Sequence, residues 1–111
     1  MNEVHKLPNN QWEPRIDYDN SEFSLATGQT DYDVATNQTY AWNNVTVAKY
    51  MTIRTDQTIT IKLNSDSNDA ITVTSSDSPY VFDYEKLGLE ITNVYITNAS
   101  GSTAAIKIFL C

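Results

Sequence analysis

A chain of 111 residues with 41% apolar and 19% charged side chains is the usual size of one domain and can bury a modest core without metal or disulfide staples. Its only cysteine, Cys111, excludes an intrachain disulfide and a multi-cysteine metal site. The formal charge of −7, with its seven basic residues scattered as Lys6, Arg15, Lys49, Arg54, Lys62, Lys86 and Lys107, leaves no cationic stripe for nucleic acid or anionic membrane.

No apolar run approaches the roughly 20 residues of a bilayer-spanning helix, and residues 1–15 carry neither the apolar stretch nor the small-residue cleavage site of a secretory signal. Residues 1–20 are polar, hold Pro8 and Pro14, and show no helical or strand periodicity. Leu7, Trp12, Ile16 and Tyr18 are spaced along them as apolar groups on an otherwise wet segment. The segment reads as an extended N-terminal arm docked on its own or a neighbouring subunit, because an exposed tryptophan is costly. Residues 21–111 form the remaining domain.

From Phe23 onward, short alternating runs are punctuated by Asn, Asp, Ser and Thr, the pattern of antiparallel strands with one buried face. Weak strands are predicted over 23–26 and 30–35, then strands over 45–47 and 51–54. The cleanest run, residues 58–63, places Ile59, Ile61 and Leu63 on one face and Thr58, Thr60 and Lys62 on the other. Strands over 71–74 and 80–83 follow, with one helical turn at 84–87. Within 89–97 the parity slips, Leu89 and Ile91 being odd and Val94 and Ile96 even, which predicts a bulge or a strand changing sheets. Residues 104–110 supply the last strand, rich in β-branched side chains. About eight or nine short strands at this spacing predict an all-β, antiparallel two-sheet sandwich with jelly-roll topology.

Chemistry is sparse. The sole histidine, His5, falls in the arm, so a nucleophile has no rigidly held base. The three glycines, Gly28, Gly88 and Gly101, are too far apart for a phosphate loop or a dinucleotide fingerprint. Acids are plentiful, but no pair is singled out for glycoside hydrolysis. Residues 64–69 are rich in oxygen donors, yet counting from Asp66 they lack the sixth-position glycine and twelfth-position glutamate of a calcium loop, Ile71 and Asp77 standing there. A polar hairpin turn is the plainer reading, with calcium held between loops as its alternative. The sequence is therefore expected to be non-enzymatic, with no cofactor and no metal. Sequons begin at Asn37, Asn44 and Asn98, as chance produces in a chain this rich in Asn and Thr.

The aromatics are more informative. Trp12, Tyr18, Tyr32, Tyr40, Trp42, Tyr50, Tyr80, Tyr84 and Tyr95 exceed what so small a core encloses, so some are expected at the surface. They fit a protein interface, with Leu7, Trp12, Ile16, Tyr18 and Phe23 as its contacts. They equally fit a sugar-stacking face built from Tyr40, Trp42, Tyr80 and Tyr84.

Residues 49–63, 67–73 and 91–102 (KYMTIRTDQTITIKL, SNDAITV and ITNVYITNASGS) together resemble the small virion structural proteins of tailed bacteriophages. The resemblance spans about residues 25–110 and leaves the arm uncovered. It implies a non-enzymatic β-sandwich mounted on a phage particle, a capsid decoration or cement protein before a head-tail or baseplate component. The partners then expected are the major capsid or another virion protein and further copies of the chain, a trimer being favoured, with no nucleic acid and no membrane. The expected location is the virion, after synthesis in the host cytoplasm. The alternative is a carbohydrate-binding, host-adhesion module of the same architecture.

Overall fold

The computed structural model describes residues 2–6, 12–16, 18–77 and 79–111, the first two stretches as backbone alone. Two four-stranded antiparallel sheets face each other. The first has the order β3 (Asp19–Leu25), β10 (Ala104–Leu110), β5 (Tyr50–Thr55), β8 (Tyr80–Asp83). The second has the order β4 (Gln29–Asp33), β9 (Val94–Asn98), β6 (Ile59–Leu63), β7 (Ile71–Val73). Every chain step from β3 onward crosses between sheets except the β6–β7 hairpin. The two-sheet sandwich expected from alternation is thus the fold, its core lying between the sheets.

Period-two patterning explains the layers. In β10, Ala104, Ile106, Ile108 and Leu110 are buried while Ala105 and Lys107 are exposed. In β6, Ile59, Ile61 and Leu63 are buried, and in β5 Met51 and Ile53 point inward while Arg54 points out. Val94 and Ile96 of β9 complete the opposite wall. A one-residue slip in any of these strands would exchange the buried and wet sets, so the core fixes the register.

Where the alternating pattern misled, other groups decide. Residues 45–47 are not a strand; they lie in the long connection after the one-turn helix α1 (Val34–Asn37). Val45 and Val47 share parity, yet Val45 is buried and Val47 exposed, because the Asp19 carboxylate holds this segment by its backbone. Asp19 is 4% exposed and accepts from the amides of Asn44 (2.9 Å) and Val45 (2.9 Å) and from Asn44 Nδ2 (3.1 Å). The parity slip at 89–97 also has a different origin. Ile91 makes an isolated antiparallel bridge to Ala48, with both N–H···O distances 2.8 Å, and β9 begins only at Val94. Trp42, at φ 52°, donates its indole N–H to the same Ile91 carbonyl at 3.0 Å.

Two further devices close the sandwich. Asn98 is wholly buried; its Nδ2 donates to the Leu25 and Ser102 carbonyls (2.9 Å each), and its Oδ1 accepts from Ser100 N and Oγ. The sequon at Asn98 is therefore part of the interior. Helix α2 (Tyr84–Leu87), placed as the sequence predicts, is capped at its start by Asp83 and at its end by Gly88 at φ 69°, a conformation that glycine adopts without a Cβ penalty.

The arm is not without order. Residues Asn2–Lys6 (β1) and Trp12–Ile16 (β2) pair antiparallel, Asn2 facing Ile16 and Lys6 facing Trp12, as a two-stranded sheet of their own. Backbone pairing replaces the side-chain periodicity that the sequence lacks, and Pro14 is tolerated because both strands are edges. The sandwich itself starts at Asp19, so residues 19 and 20 belong to β3.

Asp19→Ala leaves two backbone donors without a partner, an expected loss of about 3 kcal/mol and a fall in Tm of roughly 10 °C. Glu22→Ala, which removes only an exposed 3.8 Å contact to Lys107, is expected to hold Tm within about 2 °C. Thermal melts of the two variants side by side decide the matter, since equal midpoints would refute the role of the Asp19 carboxylate.

Candidate functional site

Most aspartates are committed to the backbone. Asp33 caps α1, Asp83 caps α2, Asp56 accepts from Ala105 N (2.8 Å), and Asp77 accepts from Thr74 N and Oγ1 (3.1 and 2.9 Å). Asp31 pairs with Lys62 at 3.0 Å. These carboxylates fix turns and ends rather than converging on a point. The oxygen-rich 64–69 loop is likewise engaged: Asn68 Nδ2 donates to Leu63 O (2.7 Å), while Asn64 binds Glu90 O and Thr92 N (2.8 Å each).

Asp33 shows what such a carboxylate experiences. Burial raises its pKa, but donors outweigh that: Asn93 Nδ2 at 2.7 Å and the Thr36 amide at 3.0 Å hold it below the ordinary aspartate value. Asn93 Oδ1 accepts in turn from Ala35 N and Val94 N, which ties the start of α1 to β9.

Among the described residues, a concentration of unburied aromatic and cationic side chains lies on the outer face of the β3-β10-β5-β8 sheet. Register places Asn20, Phe109, Thr52 and Val81 in one row across the strands and Glu22, Lys107 and Arg54 in the next. Outward alternation in β3, β10 and β5 puts all of them on the solvent side, since their neighbours fill the core. Tyr18, 54% exposed, stacks on Phe109 with ring centroids 5.8 Å apart, and Tyr50 meets Phe109 edge-on at 6.5 Å.

A groove of about 570 Å³ runs over this face, with Asn20, Tyr40, Thr52, Arg54, Lys107 and Phe109 in its walls. A second hollow of about 400 Å³ continues it past Glu22, Arg54 and Lys107 toward Phe23 and Asp56. These volumes lie in the range of small-ligand sites.

The candidate contacts named from sequence are scattered by the fold. Tyr40 is 67% exposed and lines the groove. Tyr84 is exposed beyond β8, with the Lys49 ammonium 5.6 Å from its ring centroid. Trp42 and Tyr80 pack against the core, Tyr80 lying 4.8 Å from Phe82, so the four do not form one stacking platform. Phe23 also packs against the core and stacks on Tyr32 at 5.7 Å. Leu7 lies outside the described residues, and Trp12 and Ile16 are described only as positions on β2. Sequence reading did not single out Arg54, Lys107 or Phe109. Alternation in β10 and β5 already turned them to solvent, but only strand pairing shows that they are neighbours.

No known protein family, curated protein or solved structure matches the chain. No helix among the described residues is long and apolar enough to cross a membrane.

The depressed pKa of Asp33 carries a pH signature. Its contribution to stability is complete above the unfolded aspartate value of about 3.9 and is lost as pH falls through the lower folded value. The difference in Tm between the protein and Asp33→Asn is therefore expected to be constant from pH 7 to about 5 and to shrink toward pH 3. A gap that stays constant down to pH 3 would show that Asp33 titrates alike in both states.

Proposed function

We propose that this chain is a non-enzymatic structural component of a tailed-phage particle: a capsid decoration or cement protein held to the major capsid protein, or to neighbouring copies in a trimer, by residues 2–16. The observation that carries this reading is the β1–β2 hairpin, which pairs with no third strand among the described residues. A lone two-stranded ribbon is marginal in water, and both of its outer edges offer unpaired backbone groups. Such a ribbon gains most of its stability by adding to a partner's sheet.

The sandwich supports the same reading by analogy of architecture. Its orders β3-β10-β5-β8 and β4-β9-β6-β7 interleave early and late strands as a jelly roll does, the fold used by viral capsid and lectin domains. The protein would reside in the virion, made in the host cytoplasm. A second reading, a carbohydrate-binding module for host adhesion, is favoured by Tyr40, exposed beside a groove on a sheet face.

Gel filtration with light scattering, applied to the full chain and to a chain lacking residues 1–17, tests the assembly reading. The cut must spare Asp19, whose carboxylate the sandwich needs. A defined oligomer for the full chain and a folded monomer for the shortened one are expected. An oligomer indifferent to the truncation, or a monomer in both that also ignores undecorated capsids, would overturn attachment through the arm.

A further inference from the structure

We infer that the groove on the outer face of the β3-β10-β5-β8 sheet binds a sparsely charged acidic oligosaccharide, its carboxylate over Arg54 and Lys107 and a sugar ring against Tyr40. Four basic side chains are described. Lys62 is paired with Asp31 at 3.0 Å, and Lys49 lies over the Tyr84 ring. Lys107 makes a long ion pair with Glu22, opposite it on β3, at 3.8 Å, with both side chains more than half exposed and so weakly coupled. Arg54 has no ion-pair partner among the described residues. Arg54 and Lys107 stand directly opposite each other on adjacent strands, a like-charge arrangement that destabilises a sheet and that an anionic ligand relieves.

The choice of a saccharide follows from what else lines the groove. Asn20, Thr52 and Glu22 supply amide, hydroxyl and carboxylate groups suited to reading hydroxyls, and Tyr40 supplies an exposed ring. Strands β10 and β5, beneath the groove, are paired on both sides, so an extended peptide finds no backbone groups there to extend the sheet. The net charge of −7 repels dense polyanions, which leaves ligands with isolated acid groups. None of these side chains belongs to the hairpin of residues 2–16, so the groove and the assembly reading can fail separately.

Titration of the ¹⁵N-labelled full chain with hyaluronan tetrasaccharide, the neutral sugar tetra-N-acetylchitotetraose and a glutamate-rich peptide tests the assignment. Expected are shifts of amides around Asn20, Thr52 and Lys107 with hyaluronan, and affinity at least about fivefold weaker for the neutral sugar. Arg54→Gln, Lys107→Gln and Tyr40→Ala, all at exposed positions, are each expected to weaken hyaluronan binding by about fivefold without lowering Tm. Raising the salt from about 50 to 300 mM should weaken it further. The inference is overturned if hyaluronan produces no shifts, if they map away from this face, or if the neutral sugar binds equally well. It is also overturned if the variants bind like the parent, or if the peptide binds as tightly as hyaluronan, the last assigning the face to an acidic protein.

Discussion

The fold depends on β10, which occupies the interior of the first sheet between β3 and β5. Its register with β3 runs from Ala104 opposite Leu25 to Leu110 opposite Asp19, so the sheet's centre is completed only when the two ends of the sandwich sequence meet. Closing so long a loop raises the entropic cost only slowly with length but makes the pairing strongly non-local, which slows folding. What repays the closure is the buried row Ala104, Ile106, Ile108 and Leu110, together with Met51 and Ile53 on β5 beside it. The surface follows from that row. Since Ile106 and Ile108 must face inward, Lys107 and Phe109 must face outward, and the groove is a consequence of how the core is filled.

Polar groups inside and around the sandwich do a different task from the apolar ones: they fix segments that alternation cannot. Asp19 clamps the connection at Asn44 and Val45. Asn98 joins the end of β3 to the β9–β10 turn. Asp33 and Asn93 join α1 to β9. Each replaces several solvent contacts by well-placed donors, and the loss of one partner strands the other in a poorly solvated place. An acidic composition thus serves local architecture here, and the negative surface charge is partly its by-product.

Much of this was legible in the sequence. Strands at Ile59–Leu63, Tyr80–Asp83 and Ala104–Leu110 and the turn of helix at Tyr84–Leu87 stand where alternation and flanking turn residues put them. The segment 45–47 misleads because Val45 and Val47 mimic a strand's period, while the group that places them, Asp19, is distant in sequence. The strands at Asn2–Lys6 and Trp12–Ile16 are not legible in the sequence because their order is a matter of backbone pairing, which leaves no period-two trace. The candidate site was legible residue by residue but not as a site. Outward alternation exposes Arg54 and Lys107, yet their apposition exists only once β5 lies against β10.

The two proposed modes of recognition differ in the part of the chain they use, and the fold explains why they can coexist. A sheet binds either through an unpaired edge, where backbone groups supply affinity with little selectivity, or through a face, where side chains supply selectivity. In the first sheet the edges are β3 and β8. Strand β3 carries Asp19, engaged with the long connection at its first residue, and β8 runs directly into the capped helix α2. The hairpin of residues 2–16 forms a sheet of its own and supplies backbone edges outside both sheets of the sandwich. The face over β10 and β5, whose backbone groups are paired on both sides, presents only side chains to the proposed ligand. On the two proposals, attachment and selectivity would be separate, and the groove could change its specificity through residues such as Tyr40 and Arg54 without altering the inward-facing rows on which the fold depends.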